Sequence, residues 1–208
     1  MSVPMPIPPY GFVYEEDNRY LIARRIVDVI VSVTVLVLFA PVLLMAAAAI
    51  KLEDRGPVLF VQRRVGRFGR LFPMLKLRTM RISGCNDALK PLSGNDPRIT
   101  NVGRYLRRLS IDEFPQLFNV LRGDMTLVGP RPEMPFIVRQ YAAWQQLRHI
   151  ATPGITGLWQ VTCRSNISLH RPEATALDVQ YISRGSFGGD ISIILRTLSS
   201  LLFPRGAH

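Results

Sequence analysis

The chain has 208 residues, 26 of them basic and 15 acidic, and a formal net charge of +11. That leaves room for one compact domain and a membrane element, and it points to an anionic partner: nucleic acid, an anionic membrane surface or a phosphorylated substrate. Two cysteines, Cys85 and Cys163, and three histidines, His149, His170 and His208, form no cluster, which argues against a zinc centre, a disulfide framework and a Ser-His-Asp triad.

Arginine accounts for 23 of the 26 basic residues. Its planar fork binds phosphate bidentately, although a GC-rich genome would give the same bias. Residues 1–18 hold Pro4, Pro6, Pro8 and Pro9, then Glu15, Glu16 and Asp17, without an apolar period; they read as a flexible tail. Val29 to Ile50 is a run of 22 residues without a charge, long enough for a membrane helix. A signal peptide would be shorter in its apolar part and nearer the start. Arg24 and Arg25 precede the run, and Lys51, Arg55, Arg63 and Arg64 follow it, so both flanks carry the mark of a cytoplasmic side. Pro41 lies in the middle, where it removes a backbone donor and clashes with the preceding turn. The half before it makes roughly 18 Å of helix against a hydrocarbon core of about 30 Å. A helix that enters, breaks at Pro41 and returns to the same face satisfies these facts; a kinked spanning helix is the alternative. Asp28 follows Arg24 and Arg25 at helical spacing and is expected to pair with them.

Residues 55–81 carry eight basic side chains and no acidic one. Pro57–Val61 reads as a short strand, Gly66 and Gly69 as a loop, and 71–80 as a mixed apolar and basic run. In that run Lys76 and Arg78 alternate with Leu75 and Leu77, so an extended backbone aims both cations at one anion or at lipid headgroups. Residues 83–97 form a loop. Residues 99–122 look helical and amphipathic through Leu106, Leu109, Phe114, Leu117, Phe118 and Leu121, interrupted at Pro115. After a loop at Gly129–Pro132, the pattern gives a helix over 133–149, a turn at Pro153–Gly157 and a short extended piece at Leu158–Val161. A helix over 172–182 contains Asp178, and the apolar 191–203 suits a membrane surface.

Asp112-Glu113 is flanked by Arg104, Arg107, Arg108 and Arg122. A carboxylate in a basic setting stays ionised, and can attack phosphorus or hold a divalent metal. Ser110 to Glu113 also spells a capping box, but Pro115 would then sit inside the first turns of the helix. Arg131 stands between two prolines that restrain the backbone, which suits a phosphate clamp and equally a surface turn. Trp159 and Gln160 follow the Gly157 turn, where they can stack on and hydrogen-bond a base; core packing is the alternative for Trp159.

These pieces form an ordered series. Gly56-Pro57-Val58-Leu59-Phe60-x-Gln62-x-Arg64-x-Gly66 comes first, then Lys76-Leu77-Arg78-Thr79-Met80 and Asp96-Pro97-Arg98-Ile99-Thr100. Asp112 to Met125 follows as DEFPQLFNVLRGDM, then Val128-Gly129-Pro130-Arg131-Pro132-Glu133, then Pro153 to Val161 as PGITGLWQV, then Asp178-x-x-Tyr181. From about Arg24 to Gly206 the chain thereby resembles the monotopic phosphoglycosyl transferases, or bacterial sugar transferases. The resemblance implies an α+β, predominantly helical fold: a tail over 1–18, a re-entrant membrane helix over 19–52, and a cytoplasmic catalytic domain with interfacial amphipathic helices over 53–208. It implies an acidic dyad, Asp112 and Glu113, with a magnesium ion (Mg2+) held there. Lys76, Arg131 and Asp178 belong to its functional set, and Arg78, Gln160 and Arg164 join them as substrate-binding candidates.

The activity it implies is a double displacement. Asp112 attacks the β-phosphate of a UDP-sugar, UMP leaves, and undecaprenyl phosphate then takes the phosphosugar. This would occur at the cytoplasmic face of a bacterial inner membrane, among its lipids, as the first membrane step of exopolysaccharide or O-antigen assembly. Leu77 stands where the family often has phenylalanine, Cys163 where glycine is expected before Arg164, and Ala40 where some members have serine before the proline. The extra N-terminal membrane domain of larger relatives is not expected. A nucleic-acid-binding protein would explain the charge but not the uncharged run, so no nucleic acid partner is expected. A membrane scaffold without activity leaves the Asp112-Glu113 pair unexplained.

Overall fold

The computed structural model describes residues 17–81, 96–163 and 171–202. The expected tail up to residue 16, most of the 83–97 loop, and Arg164 lie outside the described residues.

Two helices open the fold. α1 spans Asn18–Leu38, and the Asp17 carboxylate accepts the Arg19 amide at 2.8 Å to start it. α2 spans Ala40–Asp54 and is bent by 60° from α1. The break falls at Phe39, just ahead of Pro41, which occupies the first turn of α2. A proline has no N–H for the α1 ladder, whereas in a first turn that donor is unused anyway. Neither helix alone is long and apolar enough to cross a membrane; the bent pair together has the length and composition of a span.

The burial pattern of α1 is inverted. Asp28 and Ser32 are buried, whereas Ile22, Ile26, Ile30, Val33 and Val37 are exposed. Asp28 accepts the Leu127 amide at 2.9 Å and the Thr126 hydroxyl at 2.6 Å. Arg24 donates to Thr126 Oγ1 at 3.0 Å and to the Val128 carbonyl, and Arg25 donates to the Val120 and Leu121 carbonyls at 2.5 and 2.8 Å. The expected pairing of Asp28 with Arg24 and Arg25 is therefore corrected. All three side chains reach across to the backbone groups of a strand edge and a helix end.

β1, Leu59–Val65, and β2, Leu71–Leu77, make an antiparallel ribbon with Leu59 opposite Leu77 and Val65 opposite Leu71. The mixed 71–80 run is thus a strand for most of its length. Asn119, fully buried, closes its outer edge: Oδ1 accepts the Leu75 amide at 3.0 Å and Nδ2 donates to the Pro73 carbonyl at 2.8 Å.

The helix expected over 99–122 divides into α3, Asn101–Arg108, and α4, Gln116–Arg122, with a 3-10 turn at Ile111–Glu113 between them. Ser110 ends α3 in the left-handed region at φ +57°, and Pro115 is the N-cap of α4. The capping box does not form, because the Ser110 side chain makes no cap hydrogen bond. The acidic pair instead rides on its own tight turn.

β3, Thr126–Val128, pairs in parallel with β4, Gly154–Thr156. The backbones meet so closely here that a Cβ on Gly154 would lie 2.1 Å from the Gly129 nitrogen. The helix expected over 133–149 is replaced by the short α5, Pro135–Val138, and a 3-10 run at Ala143–Ile150. Side chains close these turns: Gln146 donates to the Val138 carbonyl at 2.8 Å and Gln145 accepts the Ala142 amide at 2.9 Å. Leu158–Cys163 is helical, α6, not extended; the Gly157 carbonyl accepts the Val161 amide at 3.3 Å and starts it. α7, Pro172–Arg184, and α8, Phe187–Leu202, complete the described chain. The architecture is α+β and mostly helical, with two small sheets among the described residues. Ala46 and Ile50 of α2 pack against Leu77 and Leu106, which ties the returning arm of the hairpin to β2 and α3.

Candidate functional site

Lys76 from β2, Glu113 from the 3-10 turn and Arg131 from the loop after β3 converge. Glu113 Oε1 accepts from Lys76 Nζ at 2.8 Å and from Arg131 Nη2 at 2.6 Å. Their side chains are 19–21% exposed, so the cluster is sheltered yet reachable. Burial works against the Glu113 charge, but Arg131 and Lys76 outweigh it and hold the carboxyl well below its usual range. Asp112 behaves oppositely. Burial pushes its carboxyl up, Lys76 offsets this only in part, and the Glu113 charge adds to the rise. The Asp112 carboxylate accepts from its own amide, and no other described side chain hydrogen-bonds to it. One turn therefore carries a committed carboxylate beside an uncommitted, more basic one.

Arg107 also belongs here. Thr79 Oγ1 accepts its Nε at 2.9 Å, and its charge opposes the rise of the Asp112 pKa. The sequence names it only as a flank, because no helical spacing joins it to Asp112 across the Ser110 break. Behind Arg131, Arg64 donates to the Pro132 carbonyl at 3.3 Å and to Gln62 Oε1 at 2.6 Å, which gives the Gln62-x-Arg64 motif a supporting place.

Gln160 Nε2 donates to the Ile155 carbonyl at 3.1 Å, the same carbonyl that Arg131 Nη1 reaches at 3.5 Å. Its Oε1 has no partner among the described residues. Trp159 is buried, as the core-packing reading has it. Arg78 is set apart from Lys76: it pairs with Asp54 at 3.4 Å. It lies along Gly56, where a Cβ would stand 1.9 Å from Nη1, so the space left by the glycine draws the guanidinium away from a shared anion. Asp178 does not face the dyad. It is 1% exposed and binds Arg148 Nη2 at 2.5 Å, and that same nitrogen donates to the Arg131 carbonyl at 2.7 Å.

Among the described residues no group of three or more His, Cys, Asp and Glu side chains is placed to hold a metal. Asp112 and Glu113 offer two carboxylates, one oxygen of which is already taken. Such a pair fits a hard cation whose shell is completed by substrate phosphates, not an all-protein cage.

The chain is 45% identical over 192 residues to the UDP-glucose:undecaprenyl-phosphate glucose-1-phosphate transferase of Caulobacter vibrioides, covering 89% of this chain and 72% of that protein. It is 42% identical over 199 residues to the galactosyl transferase CpsE of Streptococcus agalactiae, covering 90% of this chain but 44% of the relative. It is 36% identical over 201 residues to the exopolysaccharide production protein ExoY of Rhizobium meliloti, covering 89% and 88%. The chain thus spans less than half of some relatives and most of others. The family model described as bacterial sugar transferase matches residues 19–204, nearly the whole chain, which therefore belongs to the bacterial sugar transferase family.

Proposed function

We propose that the protein transfers a hexose-1-phosphate from a UDP-sugar to undecaprenyl phosphate through a phosphosugar bound to Asp112. The observation that carries this reading is the division of labour on the 3-10 turn. Glu113 Oε1 is engaged by Lys76 and Arg131, whereas no other described side chain hydrogen-bonds to Asp112 and its carboxyl is raised by burial. A carboxylate held by two cations is a poor nucleophile; its uncommitted and more basic neighbour is a better one.

In the first step an Asp112 oxygen forms a bond to the sugar-bearing phosphorus. The bond from that phosphorus to the bridging oxygen breaks, and UMP leaves with the electron pair. In the second step an oxygen of undecaprenyl phosphate bonds to the same phosphorus, and the Asp112 carboxylate departs. Lys76 and Arg131 stand where charge builds on the phosphoryl oxygens. Gln160, whose Oε1 has no partner among the described residues, is a candidate acceptor for a donor group of the nucleotide or sugar. Arg78 and Arg164 remain substrate-binding candidates on resemblance, whereas Asp178 sits behind Arg131 through Arg148. Magnesium bound by Asp112 or Glu113 together with the diphosphate would supply charge neutralisation.

The setting is a cytoplasmic membrane face. α1 exposes isoleucines and valines while burying Asp28, a pattern adverse in water and favourable in lipid. The 60° bend, with basic residues beyond both ends, supports a hairpin that returns to its own side. On α8 the exposed Phe187, Ile191, Leu195 and Leu198 share a face suited to the interface. The test is UMP release over a panel of UDP-sugars with undecaprenyl phosphate, with and without excess EDTA. UMP release from one sugar that stops in EDTA supports the reading. No release from any sugar refutes the transfer, and full turnover in EDTA refutes the metal.

A further inference from the structure

Arg148 is 1% exposed and lies in the 3-10 run at Ala143–Ile150. Its Nη1 donates to the Tyr141 hydroxyl at 2.7 Å, and its Nη2 donates both to Asp178 Oδ2 at 2.5 Å and to the Arg131 carbonyl at 2.7 Å. A buried cation needs a carboxylate and polar acceptors; Asp178 and Tyr141 supply them to the two terminal nitrogens, while Nε has no partner among the described residues. The bond to Arg131 is of a different kind, because it ends on the backbone of a residue in the site.

Two peptide planes flank Arg131. The one before it is held by the Gly154 amide, which donates to the Pro130 carbonyl at 2.9 Å. The one after it is held by Arg148 alone among the described side chains. Pro132 keeps Arg131 extended but leaves rotation about ψ within that region, and the Arg148 bond removes it. The Arg131 guanidinium then reaches Glu113 Oε1 at 2.6 Å and Ile155 at 3.5 Å.

We infer that Arg148 is a positioning residue: anchored by Asp178 and Tyr141, it fixes the peptide plane from which Arg131 reaches Glu113 and the donor's phosphates. This rests on the reading of Arg131 as a phosphate-binding group. It also gives Asp178 a place in the site's function without substrate contact. A lysine could keep the charge, but one ammonium cannot reproduce the fork that holds Asp178, Tyr141 and the Arg131 carbonyl together.

The test is a double-mutant cycle on the full chain in detergent, reading the Kd for UDP by calorimetry alongside UMP release. Arg148→Lys is expected to weaken UDP about 10-fold, and in an Arg131→Lys background by less than about 2-fold, because its effect passes through Arg131. Where Arg148→Lys does not fold, Tyr141→Phe replaces it, with a loss of about 3-fold that also vanishes in the Arg131→Lys background. An equal loss in both backgrounds overturns the inference, since a residue that only supports the fold would show additivity. Unchanged UDP binding in Arg148→Lys, or in Arg131→Lys alone, overturns it too. UDP binding that follows the expected cycle without UMP release leaves the inference standing and refutes the transfer reaction instead.

Discussion

Glu113–Arg131 and Asp178–Arg148 are the same kind of pair in two surroundings. Their N–O distances are 2.6 and 2.5 Å, but the side chains are 19–21% exposed in the first and 1–2% in the second. In the sealed pair both terminal nitrogens of Arg148 are engaged, one by Tyr141 and the other by Asp178 and the Arg131 backbone. The open pair has Lys76 as a third member and Asp112 as an uncommitted neighbour. One arrangement holds a shape; the other keeps a nucleophile and cations within reach of an anion. Burial decides between them, not the pairing itself.

The largest effect expected from breaking this contrast is in the open cluster. Asp112→Asn should lower transfer by at least about 1000-fold, measured as UMP release, with thermal stability little changed. Asparagine is a good cap, so a purely structural Asp112 would give a near-silent variant. Next comes the sealed pair. Asp178→Leu should cost about 3–5 kcal/mol of stability by leaving the Arg148 charge buried and unpaired. Glu113→Leu, in the half-open cluster, should cost no more than about 1–2 kcal/mol. Denaturation of the two variants side by side gives the comparison, and equal losses would remove the distinction drawn here. Asp112→Glu should be slower by roughly 100-fold, because an added methylene displaces the attacking oxygen by about 1 Å.

A smaller effect concerns pH. Burial raises the Asp112 pKa above 3.8, and attack needs the ionised form. The rate with the UDP-sugar should therefore fall, as pH drops, at a higher pH than an ordinary aspartate would give. Glu113, held low by Arg131 and Lys76 against its burial, stays ionised across that window and adds no limb there. The smallest change is topological. Cysteines placed near residues 20 and 55 should react alike with a membrane-impermeant reagent, and Pro41→Leu should make them differ.

Much of this was legible in the sequence, and the failures have physical causes. The uncharged run and Pro41 gave the broken helix pair, because helix length and the missing proline N–H are local properties. Asp112, Glu113, Lys76 and Arg131 could be named from motifs, although only the fold shows that both cations meet on Glu113 Oε1. The sequence shows 71–77 only as a mixed run, because the outer edge of that strand is satisfied by a side chain, Asn119, far along the chain. The helix expected over 133–149 failed because Gln145 and Gln146 close turns that periodicity assigns to backbone bonds. Helical spacing offers Asp28 the nearby arginines, but the edge of β3, a long-range partner, takes its carboxylate. Arg148 carried no motif signal, since its role lies in one carbonyl contact that no spacing encodes.

The most direct measurement is intact mass after incubation with a UDP-sugar in the absence of lipid acceptor. The wild-type chain should gain the mass of one phosphosugar and lose it when undecaprenyl phosphate is added, whereas Asp112→Asn should gain nothing. An adduct that persists in Asp112→Asn, or a wild-type chain that turns over without ever carrying one, would contradict Asp112 as the nucleophile.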